Sequence, residues 1–210
     1  MPTRILYLHG FASSPNGEKV HKLRGELGPA HELVAPDLNA PSFAELDFGA
    51  IVERALSAAL DTHPDVIVGS SLGSLVALSV ARRGIDAPLV LIAPAFGIAD
   101  RWLSKLPDGD PITVFNHATG GDTKIHRAFF LDMANLTIDR EPPAAPVVVF
   151  MGRMDESVPF ERVESTWSSW ERSGRLAPGS KFIEIANGDH RLVDHAGLIA
   201  AEIRRAAGSV

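Results

Sequence analysis

Apolar positions along the chain fall into two alternating rhythms. Short runs rich in Val, Ile and Leu at 4–8, 32–35, 66–68, 89–92, 147–151 and 181–185 read as strands. Several are continuously apolar, as expected of parallel strands covered on both faces. Between them, stretches at 17–26, 43–60, 72–82, 160–172 and 192–206 carry the period of amphipathic helices. In the second of these, Phe48, Ile51, Val52, Ala55, Leu56, Ala59 and Leu60 share one stripe, and Glu53 and Arg54 fall off it. No repeat of fixed period and no low-complexity segment interrupts the alternation. The pattern predicts an α/β class: a doubly wound, mostly parallel six-stranded sheet with helices on both faces. Its ligand cleft is expected at the carboxyl ends of the strands.

One interval breaks this rhythm. Residues 94–146 separate the fourth strand from the fifth, which is too long for a simple crossover. A short helix at 98–106, turns at 107–111, a polar segment at 116–122, a second helix at 123–135 and a proline-rich 141–146 are expected there. Such an insert, about 96–146, would lie over the strand ends as a lid or decorate an ordinary crossover. In either arrangement the second helix is expected to make the crossing.

Composition narrows the function classes. A chain of 210 residues with 45% hydrophobic content supports one substantial core, so a single domain over 1–210 is expected. With no cysteine there is no disulfide, thiolate metal site or cysteine nucleophile. Asp+Glu 26 against Lys+Arg 20 leaves a net charge of −6, without the basic stripe of a nucleic-acid partner. The longest apolar run, 87–99, is short of a membrane span and broken by proline and glycine. Residues 1–9 lack the features of a signal peptide, which makes the cytoplasm the expected location. A small-molecule partner is the expectation that remains.

The candidate chemistry starts at Val66-Ile67-Val68-Gly69-Ser70-Ser71-Leu72-Gly73-Ser74, where a β-run enters Gly-x-Ser-x-Gly and continues into a helical pattern. A nucleophilic serine needs a sharp strained turn that exposes its Oγ, and glycines two positions to either side let strand and helix close on each other. Gly69 and Gly73 meet that need, and their spacing selects Ser71 over Ser70. A serine hydroxyl is nearly inert without a base and an orienting acid. Asp155 follows the fifth strand in Gly152-Arg153-Met154-Asp155, and His190 follows the sixth in Asn187-Gly188-Asp189-His190. The order Ser71, Asp155, His190 suits a triad in which His190 takes the serine proton and Asp155 holds its tautomer. Two backbone N–H groups, of Leu72 and of Phe11 in the His9-Gly10-Phe11 turn, would form the oxyanion hole.

Each residue has a structural alternative. Ser71 would serve as a helix N-cap, Asp155 as a turn residue and His190 as a loop residue. Glu156, Asp189 and His195 compete for triad places, but Asp189 abuts His190 and His195 falls in the last helical pattern. His9 is expected to support its turn through local hydrogen bonds. His117, Asp122 and His126 lie in the insert without metal-ligand spacing, so no metal and no cofactor is expected. Gly10 to Lys19 does not meet the phosphate-loop pattern, because Glu18 follows Gly17.

Taken together, Leu6-Tyr7-Leu8-His9-Gly10-Phe11, Ser13-Ser14-Pro15, Lys19, Val68-Gly69-Ser70-Ser71-Leu72-Gly73, Ala93-Pro94-Ala95, Asp155 and His190 resemble the small single-domain bacterial α/β-hydrolases of the YqiA-type esterase kind. The resemblance implies a minimal α/β-hydrolase fold, Ser71, Asp155 and His190 as triad, and Phe11 and Leu72 as oxyanion donors. Ser74 departs from it, standing where a second glycine is frequent. The expected activity is hydrolysis of small or medium acyl esters through an acyl-enzyme. Thioesterase, peptidase or acyltransferase chemistry uses the same residues, and a non-catalytic ligand-binding module of this fold would keep the pocket alone.

Overall fold

The computed structural model describes residues 2–98, 102 and 106–208. Its strands are β1 (Thr3–Leu8), β2 (His31–Val34), β3 (Val66–Ser70), β4 (Leu89–Ile92), β5 (Ile112–Asn116), β6 (Gly121–Ile125), β7 (Val147–Gly152) and β8 (Lys181–Ile185). All but β5 and β6 join one sheet in the order β2-β1-β3-β4-β7-β8, parallel at every pairing. The helices are α1 (Glu18–Leu27), α2 (Phe48–Thr62), α3 (Leu72–Arg82), α4 (Ala128–Met133), α5 (Phe160–Ser173) and α6 (Ala196–Ala206).

Burial explains the strand patterns. The central strands β3, β4 and β7 are buried at every position, while the edge strands β2 and β8 keep exposed ones. The apolar runs therefore belong to strands covered on both sides. From β1 the chain steps to β2 at one edge, then back past β1 to β3 and on to β4, β7 and β8. Right-handed crossovers put α1 on one face and α2, α3 and α5 on the other. The last helix, α6, packs beside α1. The reversal falls between β1 and β3, so the loops leaving these strands diverge and open a crevice at their carboxyl ends.

Asp47 determines where α2 begins. Its carboxylate accepts the Ala50 N–H at 2.6 Å, so the helix starts at Phe48, not at Phe43 as the periodicity suggested.

The insert differs more. Residues 112–125, which include the expected polar segment 116–122 and the start of the expected helix at 123, form an antiparallel hairpin with Ile112 opposite Ile125 and Asn116 opposite Gly121. The expected helix at 123–135 shortens to α4. The crossing is made instead by a 3₁₀ turn, Ile138–Arg140, packed against α3 and α5. Arg82 donates to the carbonyls of Ile138 and Glu141 at 2.9 and 3.0 Å, and the Trp170 indole donates to that of Asp139 at 2.9 Å. Pro142 and Pro143 follow directly, and proline cannot continue a helix. Of the expected helix at 98–106, Ile98 and Trp102 are helical, and 99–101 and 103–105 lie outside the described residues. No helix among the described residues is long and apolar enough to cross a membrane.

Candidate active site

Ser71 sits where β3 ends and α3 begins, with φ 53° and ψ −118°. A non-glycine residue in that region is strained and persists only where its surroundings hold it. Here they do. The Ser71 N–H donates to the Ile92 carbonyl at 2.9 Å, and its carbonyl accepts from Ala95 at 3.2 Å and Ser74 at 3.0 Å. A Cβ on Gly69 would lie 2.5 Å from the Gly73 carbonyl oxygen, and one on Gly73 would lie 2.0 Å from that of Leu8. Both positions are therefore restricted to glycine by close backbone approach. Ser74, which departs from the second glycine, is fully buried and donates its hydroxyl to the Gly69 carbonyl at 2.9 Å, tying the helix back to the strand.

The loops after β7 and β8 bring two further groups to this turn. His190 places Nε2 3.1 Å from the Ser71 hydroxyl and Nδ1 2.7 Å from Asp155 Oδ2. The Asp155 side chain is fully buried, and its other oxygen accepts the N–H groups of Ser157 and Val158 at 2.8 and 2.7 Å. A buried carboxylate is thus satisfied on both oxygens. The His190 ring stays 26% exposed, open enough to exchange a proton with a bound molecule.

The turn after β1 forms the opposite wall. Among the described residues the N–H groups of Phe11 and Leu72 take no acceptor. His9 is buried behind the turn; its Nδ1–H donates to the Gly10 carbonyl at 2.9 Å and its Nε2 accepts the Leu38 N–H at 3.0 Å. Burial holds this imidazole below the ordinary histidine value and outweighs the Gly10 carbonyl and Asp37, which favour the charged form. A neutral His9 that fixes the turn follows from both observations.

The insert covers this wall. The Phe11 ring packs against Trp102, Phe43, Phe130 and Phe129 at centroid distances of 5.1, 5.6, 5.8 and 5.9 Å. The hairpin turn is tied down where Ala118 donates to the Ala12 carbonyl at 3.2 Å. Beneath these rings a narrow apolar cleft, lined by Phe11, Leu38, Leu46, Ile51, Leu72 and Val76, runs from the Gly10 turn towards α2.

Among the described residues the remaining candidates make no hydrogen bond to the three side chains. Asp189 caps the following turn through the Leu192 N–H at 2.8 Å, and His195 belongs to a 3₁₀ turn ahead of α6. His126 pairs with Asp110 at 3.2 Å, and His117 packs against the Phe115 ring. Among the described residues no group of three or more His, Cys, Asp or Glu is placed to hold a metal ion.

Two features escaped sequence reading. The aromatic cluster is drawn from four separated segments, which no local pattern joins. Lys19, given no role by its sequence context, donates its ammonium to the Ser70 hydroxyl at 2.7 Å, next to Ser71. A signal was available, since Lys19 stands four residues before Leu23 on the stripe that α1 buries with Val20 and Leu27.

Comparison with known proteins bears on the fold and the family. Est1E from Butyrivibrio proteoclasticus, in a structure with ferulic acid bound, superposes with a TM-score of 0.75 at 16% identity over 97% of this chain and 87% of its own. Alpha/beta hydrolase domain-containing protein 10 from mouse gives 0.67 at 22% identity over 96% and 88%. The monoacylglycerol lipase of Paleococcus ferrophilus gives 0.70 at 14% identity over 100% and 97%. Likeness at such identities establishes the α/β-hydrolase fold. No curated protein sequence matches the chain. A family model does match, over residues 4–194, and by that match the chain belongs to the uncharacterised protein family UPF0227.

Proposed function

We propose that the protein is a serine hydrolase that cleaves carboxylic esters of small or medium acyl chains through an acyl-enzyme intermediate. The observation that carries this reading is the continuous hydrogen-bonded line from Asp155 through His190 to Ser71, ending on a strained strand-to-helix turn.

In this reading His190 Nε2 takes the proton of Ser71 as its Oγ attacks the ester carbonyl. Asp155 steadies the imidazolium, and the N–H groups of Phe11 and Leu72 receive the oxyanion, each donor contributing about 3–4 kcal/mol. The same imidazolium protonates the leaving alkoxide, and water attacks the acyl-enzyme by the reverse sequence. The ester-acting proteins among the structural neighbours point the same way. His190 must be neutral to act as base, so activity is expected to fade at acid pH.

The size preference rests on the narrow cleft beside Leu72 and on the ring cluster above it, which leave little depth for a long chain. Residues of about 96–146 serve as the lid over this space in a single domain spanning 1–210.

The test is a p-nitrophenyl acetate, butyrate and palmitate series combined with fluorophosphonate labelling. Wild type is expected to label at Ser71 and to prefer the shorter esters. Ser71→Ala is expected to lose label and at least about 10³-fold in kcat. Wild-type turnover by that variant overturns the mechanism; a palmitate preference overturns the size claim alone.

A further inference from the structure

Lys19 has no task in the chemistry above, and its placement is electrostatically unfavourable in two ways. It leaves the first turn of α1, where the helix dipole disfavours a cation. Its ammonium then runs inward to the Ser70 hydroxyl, and burial pulls its pKa down to about 8 against the attraction of Asp189 and Asp155. Three elements face it, Ser70 from β3, Asp155 after β7 and Asp189 after β8, and Tyr7 from β1 hydrogen-bonds the same Ser70 hydroxyl. Tyr7 is neutral, since burial pushes its phenol up. On its own helix, Glu18 is already engaged with Arg191 at the rim. Among the described residues Lys19 makes no direct ion pair. Holding Ser70 would need only a hydroxyl or an amide, so the charge calls for another explanation.

We propose that Lys19 is a positioning residue of the triad, whose ammonium, fixed on Ser70, balances Asp155 and Asp189 and keeps their negative charge from holding His190 as imidazolium before substrate binds. The proposal rests on the hydrolase reading above. Asp155 is needed to stabilise the imidazolium in the transition state, but the same negative charge, joined by Asp189, also favours imidazolium before substrate arrives. A cation within electrostatic reach of both carboxylates offsets that ground-state effect through space. It leaves intact the Asp155–His190 hydrogen bond, which acts directly when the proton moves.

The experiment compares kcat and KM for p-nitrophenyl butyrate between about pH 5 and about pH 9 in wild type, Lys19→Met, Lys19→Gln and Lys19→Arg, with fluorophosphonate labelling of Ser71 alongside. Loss of the charge is expected to raise the acid-limb midpoint of kcat/KM by about 0.5–1 pH unit, so the neutral variants lose about three- to tenfold more activity at acid pH than at mildly alkaline pH. Arginine is expected to restore the midpoint. A uniform loss with an unmoved midpoint in Met and Gln overturns the proposal and leaves Lys19 a packing residue. If both neutral variants fail to fold, Asp189→Asn decides: it keeps an acceptor for the Leu192 N–H and drops the charge, so the acid-limb midpoint is expected to fall, and an unmoved midpoint overturns the idea. A wild type that never labels at Ser71 overturns the hydrolase reading instead, which keeps the two failures distinct.

Discussion

Asp155 uses its two oxygens differently, and the difference predicts the outcome of a near-isosteric change. Oδ1 accepts two backbone N–H groups while Oδ2 faces His190 Nδ1. In Asp155→Asn the amide oxygen has to stay with the two backbone donors, which turns the NH₂ towards His190. Nδ1 then becomes an acceptor, Nε2 carries the proton, and the ring no longer accepts from Ser71. Activity is expected to fall by about 10³–10⁴-fold, with a melting temperature close to wild type. A kinetic series with a thermal scan checks both, and retention of more than about a tenth of wild-type kcat counts against the tautomer argument. Ser71, Asp155 and His190 were legible in the sequence because a strand-turn-helix junction and two post-strand loops are local patterns. Lys19 was harder to see, since a charged residue on an apolar stripe reads as an interruption until its partner on another strand is known.

At the scale of elements, hydrophobic period located the sheet strands to within two residues, because each is an apolar run bounded by turn residues. The start of α2 was misplaced because a cap is one side-chain contact, not a period. Asp47→Ala removes that contact and is expected to cost about 1 kcal/mol. Urea unfolding checks this through a lower midpoint at unchanged slope; an unchanged midpoint would show the cap to be idle. The hairpin of β5 and β6 was missed for a different reason. Its strands alternate exposed and covered positions over only five residues each, joined through His117, Ala118, Thr119 and Gly120 without an Asn-Gly or Asp-Gly turn signal. What orders it is contact with the body of the protein, including the bonds from Ala118 to Ala12 and from His126 to Ala44.

For the whole molecule, His9 links stability to pH. Its folded-state pKa lies below the ordinary value of 6.5, so the unfolded chain binds the proton more readily. The contribution of neutral His9 is fully present above the unfolded pKa and is lost as pH falls below it towards the folded value. His9→Gln offers an acceptor to Leu38 without titrating. It is expected to be less stable at neutral pH and to show a smaller stability difference between about pH 7.5 and about pH 5.5. Equal differences in variant and wild type, from denaturant unfolding at both pH values, would remove His9 from the account.

The sequence by itself determined the alternation of strand and helix, the parallel sheet it implies, and the junction at which Ser71 is held. These follow from periodicity and local sterics, which act within a few residues. Only the tertiary structure decided the meeting of Ser71 with a histidine 119 residues away, the ring cluster over Phe11 and the burial of Lys19 against Ser70. Such contacts form where loops from different strands converge at one sheet edge, and their geometry is specified by long-range packing that no local window contains.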